Sequence, residues 1–184
     1  YGPSQFPVTE WGYLILLMIL LPVLAVSFIF IVLPLILTGQ KATRMKKTIF
    51  VYFSLIATGY FFIEMPMIQK MILFLGHPSY SLSVTIAGLL IFSGIGALFS
   101  EKLFARNRRI LYASVLIVFI AGAYLVFMDK IFSSLISYPI EQKIGFALII
   151  ISPLGFFMGI PFPAALAILK ENDAFFLAWA WGIN

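Results

Sequence analysis

Cysteine is absent from the 184 residues and histidine occurs once, at His77. The first absence excludes disulfides, thiolate nucleophiles and Cys-ligated zinc or iron–sulfur centres. The second leaves no His-based metal cluster and no zincin-type site. Charge is also scarce: 10% of residues are charged, against about 25% in soluble domains. Among the seven acids, only Glu64 and Asp129 form a conceivable carboxylate pair, and nothing in the sequence brings them together. No Ser–His–Asp set and no phosphate-binding loop is present. Gly94-Ile95-Gly96 is not a dinucleotide fingerprint, because that motif needs a strand before it and a helix after it. No metal and no cofactor site is therefore expected in this chain.

What the chain has is apolar mass, 62% of its residues with mean hydropathy +1.09, in blocks long enough to cross a bilayer. A crossing helix needs about 20 such residues, and a lone strand cannot satisfy its backbone in lipid. These blocks predict an all-α fold, a polytopic transmembrane helical bundle of five full spans and a truncated sixth. The spans are about Gly12–Leu37, Thr48–Met67, Tyr80–Phe99, Ile110–Phe127 and Ile144–Ile160, with the sixth starting at Ala174. Residues 1–184 read as a single transmembrane domain and, since both ends look cut, as a fragment of a longer chain. Trp11 and Tyr13 suit an interfacial aromatic belt. Pro22 and Pro34 each remove a helix donor, so kinks are expected there.

The net charge of +5 belongs mostly to two loops. Lys41, Arg44, Lys46 and Lys47 give the first a charge of +4, and Lys102, Arg106, Arg108 and Arg109 against Glu101 give the second +3. Such clusters read as cytoplasmic anchors before they read as nucleic-acid or acidic-substrate sites, so no nucleic-acid partner is expected. With both inside, the neutral loops at 68–79 and 129–143 and the N-terminus fall outside. The expected location is a bacterial inner membrane, with the lipid bilayer as the first partner.

Glu64 is the costliest residue in the apolar blocks, and an ionisable group within a span is a functional candidate by default. The charge pattern places it near the outer end of its helix, where an acid reaches water, so interfacial pairing competes with a substrate, proton or ion role. Gln69, Lys70 and His77 complete a polar rim around it, with Lys70 as the counter-ion. His77 precedes a proline and reads first as a turn residue, since the residue before Pro is pushed out of helical geometry and Gly76 supplies a permissive backbone. Pro66 stands near the end of the second span; the apolar piece Ile68–Leu75 either extends the helix past it or lies along the interface. Gly159, Pro161 and Pro163 mark a second break, a structural kink or else a gate or binding element, because broken helices in membranes cluster where backbone lines a cavity. Gly88, Gly94, Gly96, Ala97 and Ser100 make the third span small-residue rich. Ser93 with Ala97, and Gly96 with Ser100, have the four-residue spacing that admits a second helix closely.

Two stretches carry a family resemblance. Gly59-Tyr60-Phe61-Phe62-Ile63-Glu64-Met65-Pro66-Met67-Ile68-Gln69-Lys70, continued by Phe74-Leu75-Gly76-His77-Pro78-Ser79-Tyr80-Ser81-Leu82, is the first. Gly159-Ile160-Pro161-Phe162-Pro163 with Ala178-Trp179-Ala180-Trp181-Gly182-Ile183-Asn184 is the second. Together they resemble the membrane portion of bacterial membrane-bound or fused spermidine-synthase-like proteins. The resemblance implies major-facilitator-like helices accompanied by an aminopropyltransferase-like or methyltransferase-like soluble domain that would bring the adenosyl cofactor. This chain has no such domain. The reading is therefore a non-catalytic membrane module or a subunit of a membrane assembly, with other membrane subunits or a soluble domain of the same chain as partners. A membrane-anchored adenosyl-cofactor-dependent transferase with its soluble domain missing, and a small-amine or cation transporter, stand as alternatives.

Overall fold

A computed structural model describes residues 8–27, 45–103, 108–172 and 176–184. Residues 1–47 and 48–184 form two compact units. The first contains α1 (Val8–Ser27), whose described side chains from Leu17 to Val26 are all exposed. Residues 28–37, with Pro34, and the first basic loop through Arg44 lie outside the described residues, so the expected first span is seen only in part.

The second unit holds α2 (Met45–Leu75) from Thr48 onward, α3 (Pro78–Phe99), α4 (Arg109–Leu135), α5 (Ile140–Met158), α6 (Pro161–Asn172) and α7 (Leu177–Ile183). Among the described residues four segments are long and apolar enough to cross a membrane: α2, α3, α4, and α5 with α6 taken together as Ile140–Glu171. The protein is thus an all-α, multi-pass integral membrane protein, with four long spans and short extra helices among the described residues; the four correspond to the expected second to fifth spans. The expected first span, Gly12–Leu37, is not among the four because only its part to Ser27 is described, and the tracts after Pro66 and Pro161 lengthen the second and fifth expected spans without changing their number. The start of the sixth is the seven-residue α7.

The unit faces lipid with apolar side chains. Phe62, Leu98, Phe119 and Leu125 are 70%, 78%, 73% and 83% exposed, a surface that water would penalise and hydrocarbon does not. Two cores lie inside it. At one end Met67, Met71 and Phe74 of α2 meet Leu89, Met128, Phe132, Ile151 and Leu154; Phe74 stacks on Phe132 with centroids 4.4 Å apart, and the Lys143 ammonium stands 5.8 Å from the Phe74 ring centre. At the other end Ile49 and Phe53 pack with Ala165, Leu169 and Ala180. Phe162 bridges there, edge-on to Phe53 at 5.5 Å and to Trp181 at 4.9 Å. The helix ends at 99–109 and 172 therefore gather beside the start of α2, and those at 75–78 and 135–140 gather opposite.

The second span passes its proline. Pro66 removes one amide donor, but Met67, Ile68, Met71, Phe74 and Leu75 beyond it are all buried, and that burial outweighs a single missing hydrogen bond. The helix ends where Gly76 adopts φ +76 and its N–H reaches Ile72 O at 2.9 Å, a left-handed glycine cap. His77 is extended (φ −128, ψ 117) before Pro78, the first residue of α3, where proline's missing N–H costs nothing. Ser81 Oγ then lies 2.8 Å from His77 O and 3.0 Å from Met71 O, so its hydroxyl ties the turn back to α2.

The closest helix pair is α3 against α5. A Cβ on Gly96 would fall 1.9 Å from the Phe156 carbonyl oxygen, and one on Gly159 1.9 Å from the Ser93 carbonyl oxygen. Gly88 meets the side chains of Leu148 and Ile151, and Gly155 meets Phe92. The glycines let backbones touch, the way helices associate where no hydrophobic drive separates lipid from protein.

Candidate functional site

The α5–α6 junction is a backbone break built by sequence. Glycine and two prolines fall at 159, 161 and 163. Gly159 N–H turns back to Gly155 O, Ile160 N–H to Phe157 O, and α6 restarts at Pro161. Pro161 and Pro163 sit in the first turn of α6, where amides have no intrahelical partner anyway; they begin a helix and do not interrupt one. Higher in α5, Pro153 deprives Ile149 O of its donor, and Ser152 Oγ supplies one at 2.8 Å. Tyr124 of α4 donates its hydroxyl to Ile150 O, the next carbonyl.

Beside the break lies a cavity of about 360 Å³. Leu55, Ile56, Gly59, Tyr60 and Ile63 of α2 form one wall, Ser114, Ile117 and Val118 of α4 the other, and Met158 and Pro161 the floor. Tyr52 completes it and donates its hydroxyl to Pro161 O at 3.4 Å, fixing α2 to the restart of α6. No acid or base lines this space. Its chemistry is apolar contact with a few hydroxyls, which suits a hydrophobic ligand and gives no proton-transfer group of matched strength.

The sequence-named polar residues are not gathered into one rim. Glu64 is half-buried on the α2 face that carries Phe53, Tyr60, Met67 and Met71, by the three- and four-residue spacing of one helix stripe. The helix continues eleven residues past it, about 16 Å, so Glu64 is not near the helix end as the charge pattern suggested. Gln69 is exposed and, five residues on, points about 140° away around the helix. Lys70 pairs with Asp129 of α4 at 2.5 Å and not with Glu64; the sequence could not foresee this, because Asp129 is brought to it only by the α2–α4 packing. His77 is exposed, occupies the α3 N-cap position without a side-chain cap, and stands edge-on to Tyr80 at 5.8 Å.

Of the small residues, Gly88, Gly96 and Ser100 are buried and Ser93 and Ala97 half-buried. Gly94 is exposed and nothing lies within 4 Å of where its Cβ would be, so it takes no part in the α3–α5 contact. Gly155 was missed by the sequence reading; its signal was the four-residue spacing to Gly159. Thr85 was also missed. It is fully buried and its hydroxyl has no partner. At the basic end Glu101, Arg109 and Glu171 surround a polar pocket of about 180 Å³. Among the described residues no three His, Asp or Glu side chains come together as a metal site. No family model, curated protein or solved structure matches this chain.

Proposed function

We propose that this chain is a membrane module of a larger assembly, without catalytic chemistry of its own, related to the membrane portion of spermidine-synthase-like proteins. Its basic end lies at the cytoplasmic face of a bacterial inner membrane, with the N-terminus outside, and offers the surface for a soluble domain or subunit. One observation carries this reading: apart from Glu64, the described charged groups named above collect toward the helix ends, Glu101, Arg109 and Glu171 at one and Lys70 and Asp129 at the other, while the cavity at the helix break has no charged lining. An enzyme acting within the membrane would need acid–base or metal chemistry at that cavity. The clustered Lys and Arg support the orientation through the positive-inside bias.

The absence of cysteine makes the test direct. Single Lys102→Cys and Ser137→Cys variants are treated with a membrane-impermeant maleimide. Ser137→Cys should label in intact cells and Lys102→Cys only after permeabilisation; the reverse pattern would reject the orientation. The transporter alternative has one observation in its favour, the half-buried carboxylate of Glu64 on the inward face of α2. Proteoliposomes carrying the chain should take up radiolabelled spermidine or putrescine no faster than empty ones. Saturable uptake lost in Glu64→Gln would replace the module with a transporter.

A further inference from the structure

We propose that the groove between α2 and α4 is a binding site for one amine-bearing zwitterionic phospholipid of the phosphatidylethanolamine class. Its acyl chain lies along the groove, its phosphate meets Lys70 and its ammonium meets Asp129. This inference concerns the lipid-embedded bundle alone and does not depend on whether the chain is a module or a transporter.

The two helices run side by side without close backbone contact; α4 packs instead on α5 and α6. Between them the cavity at the helix break is followed by a second, of about 250 Å³, and Ile63 lines both. The second is lined by Pro66, Met67, Ala121, Leu125 and Met128 and ends at Lys70. From Lys70 to Gly59 the groove follows 11 residues of α2, about 16 Å, close to half the hydrocarbon thickness of a bilayer, the depth of one leaflet. Gly59 widens it where any side chain would stand, with nothing within 4 Å of its Cβ position.

Size selects the occupant. The two cavities hold about 360 and 250 Å³, on the scale of one flexible hydrocarbon chain. The lining agrees: it is apolar, and two of its hydroxyls, those of Tyr52 and Tyr124, are already spent on Pro161 O and Ile150 O. Polarity returns only at the mouth. There Lys70 and Asp129 pair with each other at 2.5 Å and are 38% and 72% exposed, so the remaining N–H groups of the ammonium and the remaining lone pairs of the carboxylate face a headgroup. A zwitterionic head answers both charges at once. An anionic head would bring a second negative charge beside Asp129 against the single ammonium of Lys70, and a quaternary ammonium has no N–H to give the carboxylate.

The test is native mass spectrometry of the full chain released from nanodiscs of equal phosphatidylethanolamine, phosphatidylglycerol and phosphatidylcholine. One phosphatidylethanolamine should be retained with a roughly tenfold preference, the scale of a charge-assisted contact. Lys70→Ala/Asp129→Ala should remove the preference while leaving an acyl-bearing adduct. Gly59→Phe, which fills the groove, should remove the adduct itself, with circular dichroism and elution volume unchanged to show the fold intact. Equal retention of the three lipids, or an adduct indifferent to Gly59→Phe, would overturn the proposal. So would a Gly59→Cys cross-link joining the groove to a second copy or to another segment of the chain.

Discussion

Replacing Gly96 by alanine should force α3 and α5 apart, whereas the same change at Gly94, two residues earlier in the same helix, should do no harm. At Gly96 the new Cβ would stand 1.9 Å from the Phe156 carbonyl oxygen and 2.8 Å from its carbon, and real Cβ contacts essentially never fall below 3.0 Å. The helices must therefore separate by at least about 1.1 Å, because the obstacle is backbone and cannot rotate away. That movement loosens Leu89, Ile151 and Leu154, all buried at the same interface. Overpacking of this kind costs about 1–3 kcal/mol. Alanine also raises helix propensity by about 1 kcal/mol over glycine, a gain common to both variants. The difference between Gly96→Ala and Gly94→Ala cancels it and isolates the steric cost, so Gly96→Ala should be less stable than Gly94→Ala by about 1–3 kcal/mol. Reversible unfolding in mixed micelles with increasing SDS, followed by circular dichroism, measures it. Equal stability of the two variants would refute the close approach of α3 to Phe156.

Three further outcomes follow from local geometry. Gly76→Ala places a Cβ in left-handed backbone at φ +76 and should lower unfolding stability by about 1–2 kcal/mol, with Gly76→Asn recovering part of the loss; an unchanged Gly76→Ala protein would mean the turn is built otherwise. Tyr124→Phe removes the hydroxyl that reaches Ile150 O beside Pro153 and should cost about 0.5–1.5 kcal/mol, read in the same unfolding assay and as faster amide exchange in α5. Thr85→Val discards a buried hydroxyl that has no partner, so stability should hold or rise by about 1 kcal/mol. A clear loss there would show that the hydroxyl is bonded.

Parts of this architecture were legible in the residues alone. Leu75-Gly76-His77-Pro78 specified its turn because glycine tolerates positive φ and the residue before proline avoids helical geometry; the observed dihedrals of Gly76 and His77 have that form. Small residues four apart announced that α3 would meet another helix. The pair Gly96 with Ser100 pointed to the glycine that is buried, whereas Gly94, grouped with the same small residues, is exposed; which helix Gly96 meets was not legible. The course of α2 past Pro66 was open for a similar reason, since a proline's local penalty is decided by what the residues beyond it bury. Lys70 was assigned to Glu64 by nearness in sequence, and the pairing went to Asp129, 59 residues away.

By itself the sequence determined the solvent, the secondary structure and the chemistry this chain lacks. Long apolar tracts with 10% charge admit only lipid-embedded helices, and the missing cysteines and scarce histidine remove thiolate and His-cluster chemistry whatever the fold. Tertiary structure alone decided which face of each helix is inside, where the broken α5–α6 segment leaves a cavity, and which charges meet at the groove mouth. The physical reason is common to all three. In a soluble helix the apolar stripe marks the core, but in lipid both the inward and the outward faces are apolar. Periodicity then no longer separates them, and only the packing of one helix against another does.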